Sequence, residues 1–109
     1  MKTLCGLALA VALLAARAGA TSSGTPAVSI ANDAFAPATL TIAAGQTVVF
    51  TNRDDDAHTV TATDGSFDSK GLDTNGVWRH TFGAPGTYTY FCELHPFMKG
   101  TIVVKTVTP

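Results

Sequence analysis

From Ala27 onward, apolar residues alternate with polar or small ones in short runs, and no stretch keeps the spacing of an amphipathic helix. Ala27–Ala31 mixes small and β-branched residues and reads as a first strand. Phe35-Ala36-Pro37 interrupts it, and Thr39–Ala43 follows with Leu40 and Ile42 on one face. Gly45-Gln46 turns the chain into Thr47–Asn52, where Val48 and Phe50 share one face and Val49 and Thr51 the other. A charged loop, Arg53–Ala57, leads to His58 and a further strand at Thr59–Thr63. Asp64–Asn75 is rich in Asp, Gly and Ser, with Phe67 and Leu72 as its apolar pins. Val77–Phe82 alternates Val77, Arg79 and Thr81 against Trp78, His80 and Phe82. In Ala84-Pro85-Gly86-Thr87 the proline presets one turn position and the glycine supplies positive φ at the next. Thr87–Phe91 and Thr101–Val107 are the last two strands. About seven to eight short strands split by turn signals predict an all-β, antiparallel β-sandwich, for which Greek-key connectivity is the common solution. Nothing in the pattern points to a parallel sheet.

The first twenty residues stand apart from this pattern. Lys2 is followed by the apolar run Leu4–Ala16, and Ala18-Gly19-Ala20 has the small residues after which a signal peptidase cuts. That run falls short of the roughly 20 residues a membrane span needs. We therefore expect a signal peptide at 1–20, export to the periplasm, and one domain at 21–109. Cleavage removes Lys2 and Arg17 and leaves five basic side chains against eight acidic ones. The resulting net charge of −3, with no basic patch, argues against nucleic acid as a partner. Nothing after residue 20 reads as a membrane span.

Cleavage also removes Cys5, so Cys92 is alone in an oxidising compartment, where a leftover thiol pairs between chains or has another use. Its neighbours indicate the use. Cys92, His95 and Met98 follow one another at three-residue steps in the loop between the last two strands. Two soft sulfurs and an imidazole suit copper far better than magnesium or calcium, and His2Cys with a weak axial Met is the blue-copper electron-transfer set. Pro96 stiffens the loop and Gly100 lets it turn into the final strand. The missing fourth ligand is assigned to His58, which opens a strand after a loop. His80 competes, but a strand interior is a poor place from which to reach a loop-built site. Taken singly, each residue has a plainer use: Met98 as a filler of core gaps, Cys92 as a small buried hydrophobe, either histidine as a hydrogen-bonded surface group. Their combination on one sandwich favours the metal.

Residues Gly86-Thr87-Tyr88-Thr89-Tyr90-Phe91-Cys92 and His95-Pro96-Phe97-Met98-Lys99-Gly100, with Asn52 and His58 upstream, give the chain a family likeness. It resembles the cupredoxins, and most of all their amicyanin and pseudoazurin–plastocyanin group. The short Cys-x2-His-x2-Met loop matches amicyanins. The resemblance implies one copper ion bound by His58, Cys92 and His95 with Met98 as axial ligand, cycling between Cu(I) and Cu(II). The implied function is single-electron transfer between periplasmic redox partners. The chain departs from its relatives at Ala57 and Thr59, which flank His58 where Pro and Asn are usual, and at Leu94, where amicyanins often have Pro. Thr59 offers a shorter reach than Asn for tying the two ligand loops together, so a changed outer hydrogen-bond pattern is expected.

A monomeric carrier would meet its transient redox partners at His95, Pro96 and Phe97, through the small interface typical of redox encounters. Asp54, Asp55 and Asp56 would steer a basic partner. The alternative is a module that delivers or stores copper without carrying electrons. An enzyme is not expected: the mature chain has too few histidines for a second copper centre, little room for a substrate pocket, and no catalytic triad or carboxylate pair.

Overall fold

The computed structural model describes residues 24–107; the signal peptide expected at 1–20 lies outside the described residues. Eight strands form two four-stranded sheets, with no helix among the described residues. The strands are β1 (Ala27–Ala31), β2 (Ala34–Ala36), β3 (Thr39–Ala43), β4 (Thr47–Asn52), β5 (Thr61–Ala62), β6 (Val77–Thr81), β7 (Gly86–Phe91) and β8 (Lys99–Lys105). One sheet runs β2-β1-β4-β6 and the other β3-β8-β7-β5, so the chain passes repeatedly from one layer to the other. The sandwich is as expected, but its sheets are mixed: β1 pairs with β4, and β3 with β8, in parallel. Both parallel pairs join strands whose connection passes through the opposite sheet, so no tight turn constrains their direction.

Period-two alternation sets the faces. Val48, Phe50 and Asn52 of β4 point inward and are buried, as are Gly100, Ile102 and Val104 of β8. Three elements differ from the sequence expectation, one of them the last strand, which runs Lys99–Lys105 where Thr101–Val107 was expected. Ala34–Ala36 is a strand, because Asn32 and Asp33 both adopt positive φ (54° and 53°) and fold β2 back on β1 with Ala31 opposite Ala34. Thr59–Thr63 shortens to Thr61–Ala62, and isolated bridges link His58 to Leu72 and Thr61 to Asp68 instead. Phe67 and Leu72 are buried pins, as expected.

Tyr90 anchors the core. Its ring meets Phe35 edge-on at 4.7 Å and Phe50 at 5.7 Å. Cys92 lies two residues further along, so the inward face that buries Tyr90 also turns the thiol inward, at the end of the sandwich. Gly100 lies directly opposite Tyr90, and a Cβ there would collide with the tyrosine ring. The loop that follows Cys92 can therefore close only over a glycine.

Candidate metal centre

The loop from β7 to β8 is a compact turn closed by its own backbone. The Cys92 amide donates to the Met98 carbonyl (3.2 Å), the His95 amide to the Cys92 carbonyl (3.3 Å), and the Met98 amide to the His95 carbonyl (2.8 Å). These bonds gather the Cys92, His95 and Met98 side chains on one side. His58 comes from the other ligand segment, fixed by reciprocal backbone bonds with Leu72 (3.1 and 2.7 Å). Nδ1 of His58 lies 3.6 Å from the Cys92 sulfur and Nδ1 of His95 lies 3.8 Å from it. The ligand atoms of these three residues all fall within 4.8 Å of one another, and buried Met98 lies beside them. His58 and Cys92 are fully buried, while His95 is half-buried at the rim. His80 lies elsewhere, stacked on Trp78 at 5.1 Å in a cluster with Phe67 and Phe82.

The donor set suits copper. Two imidazole nitrogens and a thiol form the inner group with no carboxylate among them, and the neighbouring thioether is a soft donor. The thiol is primed for ionisation. Burial pushes it up, but the Thr59 amide, the His95 and His58 rings and the Leu94 amide outweigh burial and bring it down to about 7. For His58, burial lowers the proton affinity, yet the Cys92 sulfur and the Asp54 carboxylate together raise it.

Thr59 ties the ligand loops by a route its short side chain permits. Its amide donates to the Cys92 sulfur (3.3 Å), and its hydroxyl oxygen accepts from the Glu93 amide (2.8 Å). The hydroxyl then donates to Thr61, whose own proton goes to Asp68 (2.9 and 3.2 Å). Leu94 supplies the thiol with a second backbone donor, which a proline at that position would lack.

The sequence marked Asn52 only through the family likeness and Asp54 only as a partner-facing acid; the structure gives both a place in the site. Asn52 is fully buried and donates to the Asp56 and Leu72 carbonyls (2.9 and 2.8 Å), bracing the His58 loop. Asp54, expected to face a partner, instead accepts from Nε2 of His58 at 2.8 Å. The only signal for it was an acid four positions before a candidate ligand. Asp55 and Asp56 remain exposed, and the Asp33 and Asp56 carboxylates lie within 4.8 Å of each other and of a His95 ring nitrogen. Around His95, Leu94 is 56% exposed and Phe97 68%, which is unusual for large apolar side chains and forms an apolar collar.

Comparison with known proteins gives a consistent picture. The profile of the cupredoxin-like domain family matches residues 4–104. Amicyanin-alpha of Methylorubrum extorquens is 37% identical over 88 residues, covering 76% of this chain and 74% of that protein. Amicyanin of Paracoccus denitrificans is 33% identical over 89 residues, covering 77% and 68%. Among solved structures, a reduced amicyanin variant aligns with a TM-score of 0.71 at 29% identity, covering 78% of this chain and 86% of the other. A purple cupredoxin from Nitrosopumilus maritimus aligns with a TM-score of 0.68 at 28% identity, covering 73% and 99%.

Proposed function

Because this chain belongs to the cupredoxin-like domain family, we propose that His58, Cys92 and His95 hold its copper ion, with Met98 as the weak axial ligand. The protein is a type 1 copper electron carrier. The copper supplies a one-electron Cu(I)/Cu(II) couple; the chain's residues do the rest. The observation that carries this reading is the convergence of His58, Cys92 and His95 within 4.8 Å, one from the β4–β5 segment and two from the β7–β8 loop. Both segments are braced by short backbone hydrogen bonds, so the donors keep their places as the charge at the site changes. Thr59 and Leu94 stabilise the thiolate, and burial of His58 and Cys92 keeps water from them.

His95 is the edge through which electrons pass. It is half-buried and framed by Leu94, Pro96 and Phe97, with the Phe97 ring 6.1 Å away. This apolar collar supports brief docking of a redox partner at His95, Pro96 and Phe97, and the exposed Asp33 and Asp56 carboxylates beside His95 favour a basic one. We read the protein as a periplasmic monomer and as a carrier instead of an enzyme. Among the described residues, no helix is long and apolar enough to cross a membrane.

The test is to add Cu(II) to the purified domain and record its visible absorption and electron paramagnetic resonance. An intense blue thiolate-to-copper band with narrow hyperfine splitting, lost in Cys92→Ser and altered in His58→Ala, is expected. A pale, ordinary Cu(II) spectrum would overturn the reading and favour copper delivery or storage.

A further inference from the structure

Asp54 is fixed at every polar atom. Its amide donates to Oδ1 of Asn52 (2.9 Å), and its carbonyl accepts from the Thr74 hydroxyl (2.7 Å). One carboxylate oxygen accepts from the Asn32 amide (2.7 Å); the other accepts from the Asp33 amide (3.0 Å) and lies 2.8 Å from Nε2 of His58. The two amides converge because Asn32 and Asp33 both occupy the left-handed region, in the two-residue turn between β1 and β2. Asn and Asp tolerate that conformation better than most residues. The Asp54 side chain is 18% exposed, against 46% for Asp33, whose own carboxylate is 3.6 Å from the same nitrogen. Asp54 therefore acts on His58 from a partly dehydrated position, where charges interact more strongly than in bulk water. The Asp33 amide, then that of Asn32, with His58 adding to them, hold its carboxyl below the usual range despite some burial.

Building on the copper reading above, we propose that Asp54 is a positioning residue for the metal centre. As an ionised acceptor on Nε2 of His58, it fixes the ring with Nδ1 turned toward Cys92 and lowers the reduction potential of the bound copper. A carboxylate accepting from the remote N–H selects the tautomer whose Nδ1 lone pair is free for the metal, and makes that nitrogen a stronger donor. Its negative charge also favours the more positive oxidation state, Cu(II). The β1–β2 turn thus reaches the metal site through one hydrogen-bonded chain: the Asn32 and Asp33 amides, the Asp54 carboxylate, then the His58 ring.

Asn at position 54 cannot repeat this arrangement, since its amide nitrogen would face an N–H group. The experiment measures the midpoint potential and electron paramagnetic resonance spectrum of copper-loaded wild type, Asp54→Asn and Asp55→Asn. Asp55 is exposed, so its variant removes the same formal charge away from the ring. We expect Asp54→Asn to raise the Cu(I):Cu(II) ratio at fixed ambient potential at least tenfold, about 59 mV for a one-electron couple, with altered copper hyperfine splitting. Asp55→Asn should shift the ratio by less than twofold. Equal shifts in the two variants, or no rise in Asp54→Asn, would overturn the proposal. A second measurement needs no variant: in Cu(I)-loaded wild type, the Nε2 proton of His58 should appear in nitrogen-edited proton spectra as a slowly exchanging, strongly downfield resonance. Its absence, or a protonated Nδ1 in its place, would also overturn the proposal. A wild type lacking the blue Cu(II) band would instead bring down the copper reading itself, so the two failures are told apart.

Discussion

Thr59→Val probes the tie between the ligand loops, because it removes one hydroxyl from a buried side chain while nearly preserving its shape. The Thr59 hydroxyl accepts from the Glu93 amide at 2.8 Å and donates to Thr61 at 2.9 Å. Valine would leave the Glu93 N–H, which is part-buried, without its acceptor. A lost neutral hydrogen bond costs about 0.5–1.5 kcal/mol, and a stranded buried polar group about 1–3 kcal/mol. Since the Glu93 amide can recover some contact with water, a total of about 2 kcal/mol is expected. For a domain of this size that lowers Tm by roughly 8–16 °C. The Thr59 backbone amide still reaches the Cys92 sulfur, so the thiol should keep its depressed pKa. The assay is urea unfolding of the metal-free domain, with hydrogen exchange followed at the Glu93 amide. Thr59→Ser is the control, because it keeps the hydroxyl and loses only a methyl group, worth about 1 kcal/mol. Protection of Glu93 should fall in the valine variant and survive in the serine variant. A valine variant within about 0.5 kcal/mol of wild type, or a serine variant that loses Glu93 protection as well, would refute the reasoning.

Two further predictions concern the Tyr90 core beneath the site and the histidine cluster that lies apart from it. Gly100→Ala places a methyl group against the Tyr90 ring, which Phe35 and Phe50 hold in place; we expect a loss of about 3 kcal/mol in urea unfolding, at the upper end of the overpacking range, and a loss below about 1 kcal/mol would show that Tyr90 can move aside. His80, stacked on Trp78, is pushed by burial below the ordinary histidine value of 6.5. A depressed folded-state pKa contributes stability above the unfolded value that is lost as pH falls through the folded one. The His80 ring proton, assigned by its disappearance in His80→Gln, should therefore titrate below pH 6.5 in NMR spectra, and a midpoint at or above 6.5 would contradict the burial argument.

The alternation of Val48, Phe50 and Asn52 with Val49 and Thr51, and of Leu40 with Thr41 and Ile42, was enough to assign strands and inward faces. Side-chain direction along a strand follows residue parity, which is written in the sequence. The three-residue steps from Cys92 to His95 to Met98 likewise lie in one short turn, so local geometry alone brings them together. His58 could be proposed from its place at the start of a strand, and the tertiary structure brings its Nδ1 to 3.6 Å from Cys92, across 34 residues of chain. What the sequence left open depends on backbone groups and on packing. β2 was hidden because Phe35-Ala36-Pro37 looks like a break, and only the left-handed turn at Asn32 and Asp33 makes it a strand. The parallel β1–β4 and β3–β8 pairs depend on how the layers stack. Asp54 read as a surface acid beside Asp55 and Asp56, yet two amides from the β1–β2 turn and the His58 ring claim its carboxylate. Every residue but proline carries the same amide donor, so no residue type announces which amide will reach which carboxylate. Backbone dihedrals and the docking of distant segments decide that, and they exist only once the chain has folded.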